Sequence, residues 1–322
     1  MKNSVQLLHP NLLNDYPKLK EIDHWLRIMN RPQGWHYDMD IVWLLQELEK
    51  SGIKKGDTIL DAGGGMGVTQ FILAARGFNV ISLDFSHRTF PILASGIFNI
   101  QFPSNESLNY HHEYMGSVNY GKENVANLSI EEKSLGSLVY KTLLKGPVHT
   151  LQTMKNLIRK RNNYLSNLHE KSLDHTNFGQ IKFIRAAFHE IPLEDMSVDA
   201  LVSVSAIEHA DQTLMGKNIS EMKRIVKKGM PLLITTSANS TERDTFHKKT
   251  LGWCYSIDSL KTITSTNDSI KFDYNGTEKE ILGSKLWRSR IDSYYTNDPE
   301  SGFYKKKMKK LPYLPVGLKI IK

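Results

Sequence analysis

One short segment limits the folds open to this chain more than any other feature. Residues 57–67 read Asp-Thr-Ile-Leu-Asp-Ala-Gly-Gly-Gly-Met-Gly, an apolar strand that ends at Asp61 and runs directly into a glycine-rich turn. Glycine tolerates positive φ and has no side chain, so such a turn lets the backbone pass close to a ligand at the mouth of a parallel sheet. The segment therefore predicts an α/β fold with a nucleotide-like cofactor.

The spacing of the glycines narrows the choice of cofactor. Gly63, Gly65 and Gly67 form G-x-G-x-G, whereas the dinucleotide fingerprint G-x-G-x-x-G would need a small residue where Val68 stands. NAD is therefore disfavoured. A second apolar run ends at Asp84, about 20 residues after the turn, where a carboxylate can accept hydrogen bonds from ribose hydroxyls.

Residues 68–76 fit a helix that begins at the turn and ends before Gly77, which completes a strand-helix-strand unit. At this point the chain resembles the class I S-adenosylmethionine-dependent methyltransferases, whose first motif has the form acid-x-G-x-G-x-G, met here by Asp61 and the three glycines. The resemblance implies a doubly wound, Rossmann-like, seven-stranded sheet that binds S-adenosyl-L-methionine. It also implies that the turn receives the methionine part of this cofactor and Asp84 its ribose.

Further segments follow in the order that the family requires. Residues 181–188 predict a third strand, 200–209 a fourth strand with its turn, 214–228 a helix and 231–236 a fifth strand. Where family members often place an Asp that holds the adenine amino group, this chain has Ala187 and Phe188, so we expect backbone and Phe188 to make that contact. The resemblance assigns these residues to the cofactor: Trp35, Tyr37, Asp61, Ala62, Gly63, Gly64, Gly65, Gly67, Asp84, Phe85, Ala187, Phe188 and Ser205.

Two segments outside this predicted core are expected to surround the acceptor. Residues 1–50 form an N-terminal helical cover, whose aromatic segment 35–37 either borders the cofactor or only packs the helices onto the sheet. Residues 99–180 form an inserted loop with helices between strands two and three, which we expect to act as a substrate lid. Residues 51–98 and 181–322 make up the cofactor-binding core.

The composition predicts a cytoplasmic protein. The single cysteine, Cys254, excludes an intramolecular disulfide. The N-terminus lacks the apolar core of a signal peptide, and no run reaches the roughly 18 apolar residues of a membrane span. Much of the net charge of +8 lies in segments 155–161 and 305–322, without a nucleic-acid-binding module. These charges predict either a solvated face or attraction to an anionic or carrier-linked acceptor, and no specific nucleic acid.

Histidines are the candidates for catalysis. Methyl transfer to a hydroxyl is an in-line displacement in which a base removes the hydroxyl proton, and imidazole suits that task near neutral pH. His209 is the first candidate because it follows strand four at the carboxyl edge of the sheet, although a Glu-His pair there is frequent in the family as a scaffold element. His36, His87 and His189 are the other candidates, and His36 takes the place of His209 if His209 is only scaffold.

The sequence predicts no metal site. Only Asp211 follows Glu208 closely, which leaves few acids for a magnesium ion, and His111 and His112 are adjacent instead of four residues apart. Cys254 is expected to be a small buried hydrophobe, since a lone cysteine usually is.

The leading hypothesis is a methyltransferase that O-methylates a small molecule or a saccharide. The cover, the two turns and the Gly-Trp-Cys-Tyr segment are also similar to methyltransferases associated with bacterial surface-polysaccharide synthesis. A second hypothesis is an RNA- or protein-directed methyltransferase, although the segment Ser205-Ala206-Ile207-Glu208 stands where base-directed N-methylation would need Asn/Asp-Pro-Pro-Tyr. A third is a non-catalytic cofactor-binding protein, against which the intact glycine turn counts. Fold alone cannot name the acceptor.

Overall fold

The structure is a computed structural model that describes residues 2–29, 31, 33–86, 94, 97–101, 177–266, 272–297 and 302–322, which belong to one compact unit. The strands are β1 (Ser4–Leu7), β2 (Thr58–Ala62), β3 (Asn79–Asp84), β4 (Ile100–Gln101), β5 (Ile181–Arg185), β6 (Ala200–Val204), β7 (Pro231–Ala238), β8 (Thr245–His247), β9 (Gly252–Tyr255) and β10 (Leu314–Ile321). The helices are α1 (Tyr16–Met29), α2 (Tyr37–Lys50), α3 (Thr69–Ala75), α4 (Met215–Ile225), α5 (Ile257–Thr264), α6 (Tyr274–Gly283), α7 (Lys285–Arg290) and α8 (Ser293–Asn297).

The strands of the described chain join one mixed sheet. Its order is β1-β10-β7-β6-β2-β3-β5-β4, and the neighbours from β7 to β4 run parallel. β10 pairs antiparallel with β7, and β1 pairs antiparallel with β10. The hairpin of β8 and β9 is attached where β9 pairs with the end of β7. The predicted α/β, Rossmann-like class is confirmed.

The strand count differs from the expected seven, because the described residues contain ten strands. β1 lies in the N-terminal segment that was expected to be helical only, and it owes its strand form to its partner: Val5 lies opposite Leu318, and Asn3 accepts a hydrogen bond from the Ile321 N–H at 2.8 Å. Such a short edge strand carries almost no periodic pattern of its own. Most of the segment 99–180 lies outside the described residues, so its role as a lid and the domain division remain predictions.

The strand order reverses between β2 and β6. From β2 the chain passes through α3 to β3 on one side, and from β6 it passes through α4 to β7 on the other. Adjacent strands whose connections lead in opposite directions leave a crevice at their carboxyl ends, where open α/β sheets bind ligands. The glycine turn follows β2 and Ser205 follows β6, so both lie at this crevice.

Helix α2 packs on the half of the sheet built by β6, β7 and β10, and α1 packs on α2 and α3. All eight residues of β7 are buried, as expected for a strand covered on both faces. In α2, Trp43 is buried against Gly317 of β10, where a β-carbon would lie 2.6 Å from the indole ring. The indole of Trp43 therefore fills the space that a side chain at position 317 would need.

The N-terminal helices are also tied to the C-terminal part of the chain. Arg290 of α7 forms ion pairs with Asp23 of α1 at 2.6 Å and with Asp38 of α2 at 2.5 Å. The Trp287 indole N–H donates to the carbonyl of Trp35 at 2.9 Å. Within the described parts of the chain, no helix combines the length and the apolarity that crossing a membrane requires.

The variant Gly317→Ala tests this packing. We expect it to lower the free energy of unfolding by about 1–3 kcal/mol, because the added methyl group overpacks the contact with Trp43. Gly216→Ala in α4 is the matched control, since a β-carbon there meets nothing within 4 Å, and it is expected to be neutral or to stabilise by up to about 1 kcal/mol. Urea denaturation measures both variants, and equal stabilities would contradict the packing of α2 on β10.

Candidate active site

The glycine turn is held by the end of β3. The N–H groups of Gly63 and Gly64 donate to the carbonyl of Leu83 at 2.7 and 3.2 Å. Gly63 and Gly65 have φ values of +80° and +45°, in the left-handed region that favours glycine. The local sequence thus dictates the path of the turn, because other residues resist this backbone conformation.

Gly63 and Gly64 are required by the packing of the protein itself. A β-carbon at Gly63 would lie 2.3 Å from the β-carbon of Ala206, in the turn after β6. A β-carbon at Gly64 would lie 2.4 Å from the Ser82 hydroxyl and 2.5 Å from a carboxylate oxygen of Asp61, which is 1 % exposed. These two glycines, with Asp61 and the buried Ala62 of β2, let the three strand ends approach one another.

Gly65 differs from these two positions because it faces open space. A β-carbon there would come no closer than 3.6 Å to any other group, the nearest being Asp84 Oδ2. At Gly67 the nearest group would be the carbonyl of Gly64 at 3.3 Å. The turn therefore presents a cradle without side chains on the crevice side of Gly65.

Asp84 holds this cradle from the end of β3. Its Oδ2 accepts a hydrogen bond from the Gly65 N–H at 2.8 Å, and its Oδ1 accepts from the N–H and the hydroxyl of Ser86 at 2.8 and 2.5 Å. A carboxylate offers about four lone-pair positions. One position thus remains on Oδ2, and a second donor from a ligand would have to replace the Ser86 hydroxyl, which is free to rotate.

The opposite wall of the crevice comes from the ends of β5 and β6. The Phe188 ring would lie 3.0 Å from a β-carbon at Gly63, and Ala187 beside it is buried. Ser205 has φ of +46° and donates its N–H to the carbonyl of Thr235 at 3.0 Å. Its hydroxyl is buried and has no hydrogen-bond partner among the described residues. An orphaned hydroxyl beside an open cradle fits a small polar ligand, because buried polar groups rarely stay unpaired.

His209 ends a short turn of 3₁₀ helix, Ile207–His209, that follows Ser205. Its ring is half-buried, and its Nδ1 lies 3.0 Å from the carbonyl oxygen of Leu251. A carbonyl oxygen only accepts hydrogen bonds, so Nδ1 carries the proton and donates it. In the neutral ring the lone pair is then on Nε2, which is the tautomer of a general base.

Glu208 precedes His209 and is 4 % exposed. Its Oε2 accepts a hydrogen bond from the Thr236 hydroxyl at 2.9 Å. Burial raises the pKa of Glu208 above its ordinary value, and the neighbouring His209 and His36 act in the opposite direction.

His36 and Asp40 form a second buried polar group at the start of α2. His36 Nδ1 lies 2.7 Å from Asp40 Oδ2, and the two side chains are 3 % and 0 % exposed. The Tyr313 hydroxyl lies 3.4 Å from His36 Nε2. Asp40 belongs to the first turn of α2, where the helix dipole favours a carboxylate. Both ring nitrogens of His36 therefore have protein partners.

The other cover residues make packing contacts. The Trp35 ring is buried and lies 5.3 Å from the Phe303 ring and 5.9 Å from the Trp287 ring, measured between centroids. Tyr37 is half-buried as a residue, and the burial of its hydroxyl raises the pKa of that group. These contacts support the interpretation in which the aromatic segment packs the helices onto the sheet.

The remaining sequence candidates are Phe85 and the histidines outside the two polar groups described above. His87 and the pair His111 and His112 lie outside the described residues, and His189 is half-buried in the turn after β5. Phe85 is half-buried, and its carbonyl accepts from Arg185 Nε at 2.9 Å. Across the described ranges, no group of His, Cys, Asp and Glu side chains has the geometry of a metal site.

Cys254 is buried in β9, as the sequence predicted for a lone cysteine. Burial raises the pKa of its thiol to about 12. The thiolate, which is the nucleophilic form, is therefore strongly disfavoured at neutral pH.

Sequence reasoning missed Asp40, Thr236 and Tyr313. Asp40 follows His36 by four residues, but the sequence predicted that this helix begins only at Met39, whereas α2 begins at Tyr37 directly after His36. Tyr313 is separated from His36 by 277 positions, and no local pattern predicts such a contact.

A cleft of about 580 Å³ opens between α4 and α5. Tyr255 lines it, accepts from Gln212 Nε2 at 2.9 Å and donates to the carbonyl of Ile207 at 3.3 Å. The cleft thus borders the turn that carries His209, and its lining includes no residue of the glycine turn.

A family model described as a methyltransferase domain matches residues 148–234. The match contains β5, β6, α4 and the start of β7. It begins after the glycine turn, so the turn and the match are independent observations. No curated protein sequence matches the chain significantly.

Several solved structures are similar at low identity. One is an S-adenosylmethionine-dependent methyltransferase from Aquifex aeolicus, with 14 % identity, coverage of 69 % of this chain and 76 % of that chain, and a TM-score of 0.33. A second, from Methanosarcina mazei, has 12 % identity, coverage of 86 % and 98 %, and a TM-score of 0.41. A third is phosphoethanolamine N-methyltransferase 2 from Haemonchus contortus, in complex with phosphomonomethylethanolamine and S-adenosylhomocysteine, with 15 % identity, coverage of 96 % and 58 %, and a TM-score of 0.45.

Likeness at this level identifies no acceptor. The family match and the glycine turn at the switch point of a doubly wound sheet identify the cofactor and the enzyme class. Residues 148–234 match a methyltransferase domain, and the chain has the fold and the glycine turn of an enzyme that uses S-adenosylmethionine.

Proposed function

We propose that the enzyme O-methylates a small molecule or a saccharide, with His209 as the general base. The observation that carries this proposal is the hydrogen bond from His209 Nδ1 to the carbonyl of Leu251 at 3.0 Å. It holds a proton-accepting Nε2 in the turn after β6, whose Ala206 contacts the glycine turn. A base at this edge of the sheet is within the region where a doubly wound fold binds its ligands.

In this proposal the cofactor lies against the residues that the sequence assigned to it at the ends of β2, β3, β5 and β6. The open side of Gly65, the remaining acceptor position of Asp84 and the orphaned hydroxyl of Ser205 support a ligand that runs from the turn toward β6. Phe188 borders the same space with an apolar ring. When bound, S-adenosylmethionine supplies a methyl group on a positively charged sulfur, which a hydroxyl oxygen attacks in line. The protein has to align that oxygen, exclude water and accept one proton.

His36 remains the second candidate for the base. Its Nδ1 faces Asp40, which would stabilise the imidazolium, but its Nε2 already faces the Tyr313 hydroxyl. A proton from an acceptor could reach His36 only after this contact opens. His209 is preferred because its hydrogen bond to the Leu251 carbonyl fixes the tautomer that a general base needs.

The acceptor class is proposed as anionic or carrier-linked because of the lysines near the C-terminus. Lys305, Lys307, Lys309 and Lys310 are exposed, and within the described chain none of them pairs with an acidic side chain. Such groups attract anions over a Debye length. An RNA- or protein-directed enzyme and a non-catalytic cofactor-binding protein remain the alternatives, and the cytoplasmic location remains a prediction.

Mass spectrometry tests the proposed reaction. The enzyme is incubated with a metabolite and sugar-nucleotide extract and with S-adenosylmethionine that carries an isotopically labelled methyl group. We expect a labelled product whose fragments place the methyl group on a hydroxyl oxygen. Label that is found only in RNA or protein fractions would favour an RNA- or protein-directed methyltransferase. Cofactor binding without turnover in any fraction would favour a non-catalytic cofactor-binding protein.

The role of Asp84 is tested by Asp84→Ala. We expect S-adenosylmethionine binding to weaken by about 1.5–3 kcal/mol, because a charged acceptor is lost. Asp199→Ala is the matched control, since Asp199 also accepts from a backbone N–H, that of Thr58 at 3.0 Å, but lies at the amino edge of the sheet. Calorimetry compares the two, and undiminished affinity in folded Asp84→Ala protein would exclude the ribose assignment.

The role of His209 is tested by His209→Ala. If His209 is the base, the variant should lose roughly 10²–10⁴-fold in turnover with cofactor affinity preserved. As scaffold, the same change should lower thermal stability and cofactor affinity together. His247→Ala, a half-buried histidine of β8, is the control. Near-normal turnover of folded His209→Ala protein would move the assignment to His36.

A further inference from the structure

Glu208 is a buried carboxyl group without a permanent cation beside it. Its Oε2 accepts a hydrogen bond from the Thr236 hydroxyl at 2.9 Å. No lysine or arginine of the described chain forms an ion pair with it, in contrast to the buried Glu47, which pairs with Lys319 at 2.9 Å. An unpaired buried carboxylate is strongly disfavoured, because it loses its hydration without compensation.

The groups that interact with Glu208 within the described chain include no lysine and no arginine. Those that interact with it come from its own turn, from α2, from β7, from β9 and from the residue before β10: His209, His36, Tyr37, Thr236, Cys254, Tyr255 and Tyr313. Only the two histidines can become cations. His36 is already paired with Asp40, and His209 is held by a backbone carbonyl.

Glu208 lies in the turn that forms one wall of the ligand crevice. Ala206, two residues earlier, approaches Gly63 so closely that a β-carbon there would lie at 2.3 Å. Ser205 in the same segment has the orphaned buried hydroxyl. Glu208 therefore belongs to the turn that lines the crevice, where the fold receives a ligand that carries a positive charge on its sulfur.

We propose that Glu208 is the counter-charge of the cofactor sulfonium and that it makes the site prefer S-adenosylmethionine to its neutral product S-adenosylhomocysteine. The proposal rests on the enzyme class and the cofactor, and it does not depend on the acceptor or on the identity of the base.

The charge balance of the reaction indicates that Glu208 also weakens the binding of the product. During transfer the carbon-sulfur bond breaks with its electron pair left on sulfur, a carbon-oxygen bond forms, and the hydroxyl proton passes to the base. Sulfur is then neutral, and Glu208 has lost its counter-charge once the proton has passed from the base to solvent. The carboxylate is again disfavoured, so the charge change weakens the hold on the product.

Calorimetry with the two forms of the cofactor tests the proposal. We expect Glu208→Gln to lower the ratio of S-adenosylmethionine to S-adenosylhomocysteine affinity by about tenfold or more, because breaking a buried charge pair costs several kcal/mol. The variant keeps the shape of the side chain and can still accept from Thr236. Thr236→Val is the matched control: it removes the hydrogen bond but keeps the charge, so the affinity ratio should change little.

The pH dependence gives an independent readout. The carboxyl group is neutral at low pH, so S-adenosylmethionine affinity should rise with pH until Glu208 is ionised in the free enzyme and should then level off. Titration between about pH 5 and 9, in two buffers of different ionisation enthalpy, should show release of up to about one proton with S-adenosylmethionine. Binding of S-adenosylhomocysteine should release fewer protons. The Glu208→Gln variant should release equal numbers of protons with the two ligands, and since it keeps both histidines, this result would assign the difference to Glu208.

Two outcomes would overturn the proposal. In the first, Glu208→Gln weakens both ligands equally, which is the result of a purely structural role. In the second, the affinity ratio and the proton release are unchanged. Glu208→Asp keeps the charge and should retain more of the preference than Glu208→Gln if the fold tolerates both. Since no acceptor is present, failure to find a methylated product leaves this test unaffected.

Discussion

The rest of the structure depends on the close packing of Gly63 against Ala206 and Phe188. Neither Gly63 nor its neighbour Gly64 has room for a β-carbon, and Gly63 has positive φ. This contact brings the ends of β2, β5 and β6 together at the point where the strand order reverses. The crevice is therefore lined by backbone on one side, and it keeps its shape because any larger side chain at these two positions would force the strands apart.

The polar groups beside the crevice come from parts of the chain that are far apart in sequence. His36 and Asp40 belong to the N-terminal cover, Glu208 to the middle of the chain and Tyr313 to the segment before the last strand. They are buried, so each depends on its partner, because an unsatisfied group costs more than a hydrogen bond contributes. The pairing of β1 with β10 and the ion pairs of Arg290 hold the two ends of the chain in this arrangement. Chemistry at the crevice thus requires both ends of the chain to be folded.

Local patterns predicted the central elements well. The run that ends at Asp61 became β2, the pattern over 214–228 became α4, and the run over 231–236 became β7. Central parallel strands are continuous apolar runs bounded by turns, so a short window contains most of their signal. The peripheral strands were not predicted from the sequence. β1 and the hairpin of β8 and β9 are short, and they are strands because β10 and β7 offer them unpaired backbone groups.

The sequence by itself determined the glycine turn, the acid at the end of each of the first two central strands and the lone buried cysteine, because each follows from the local chemistry of a few residues. It also placed His209 at the carboxyl edge of the sheet. Only the tertiary structure decided which residues pair there: Asp40 and Tyr313 with His36, Leu251 with His209, and Thr236 with Glu208. These contacts join separate elements in a dry interior, and their partners are selected by the packing of helices on the sheet, which no short stretch of sequence specifies.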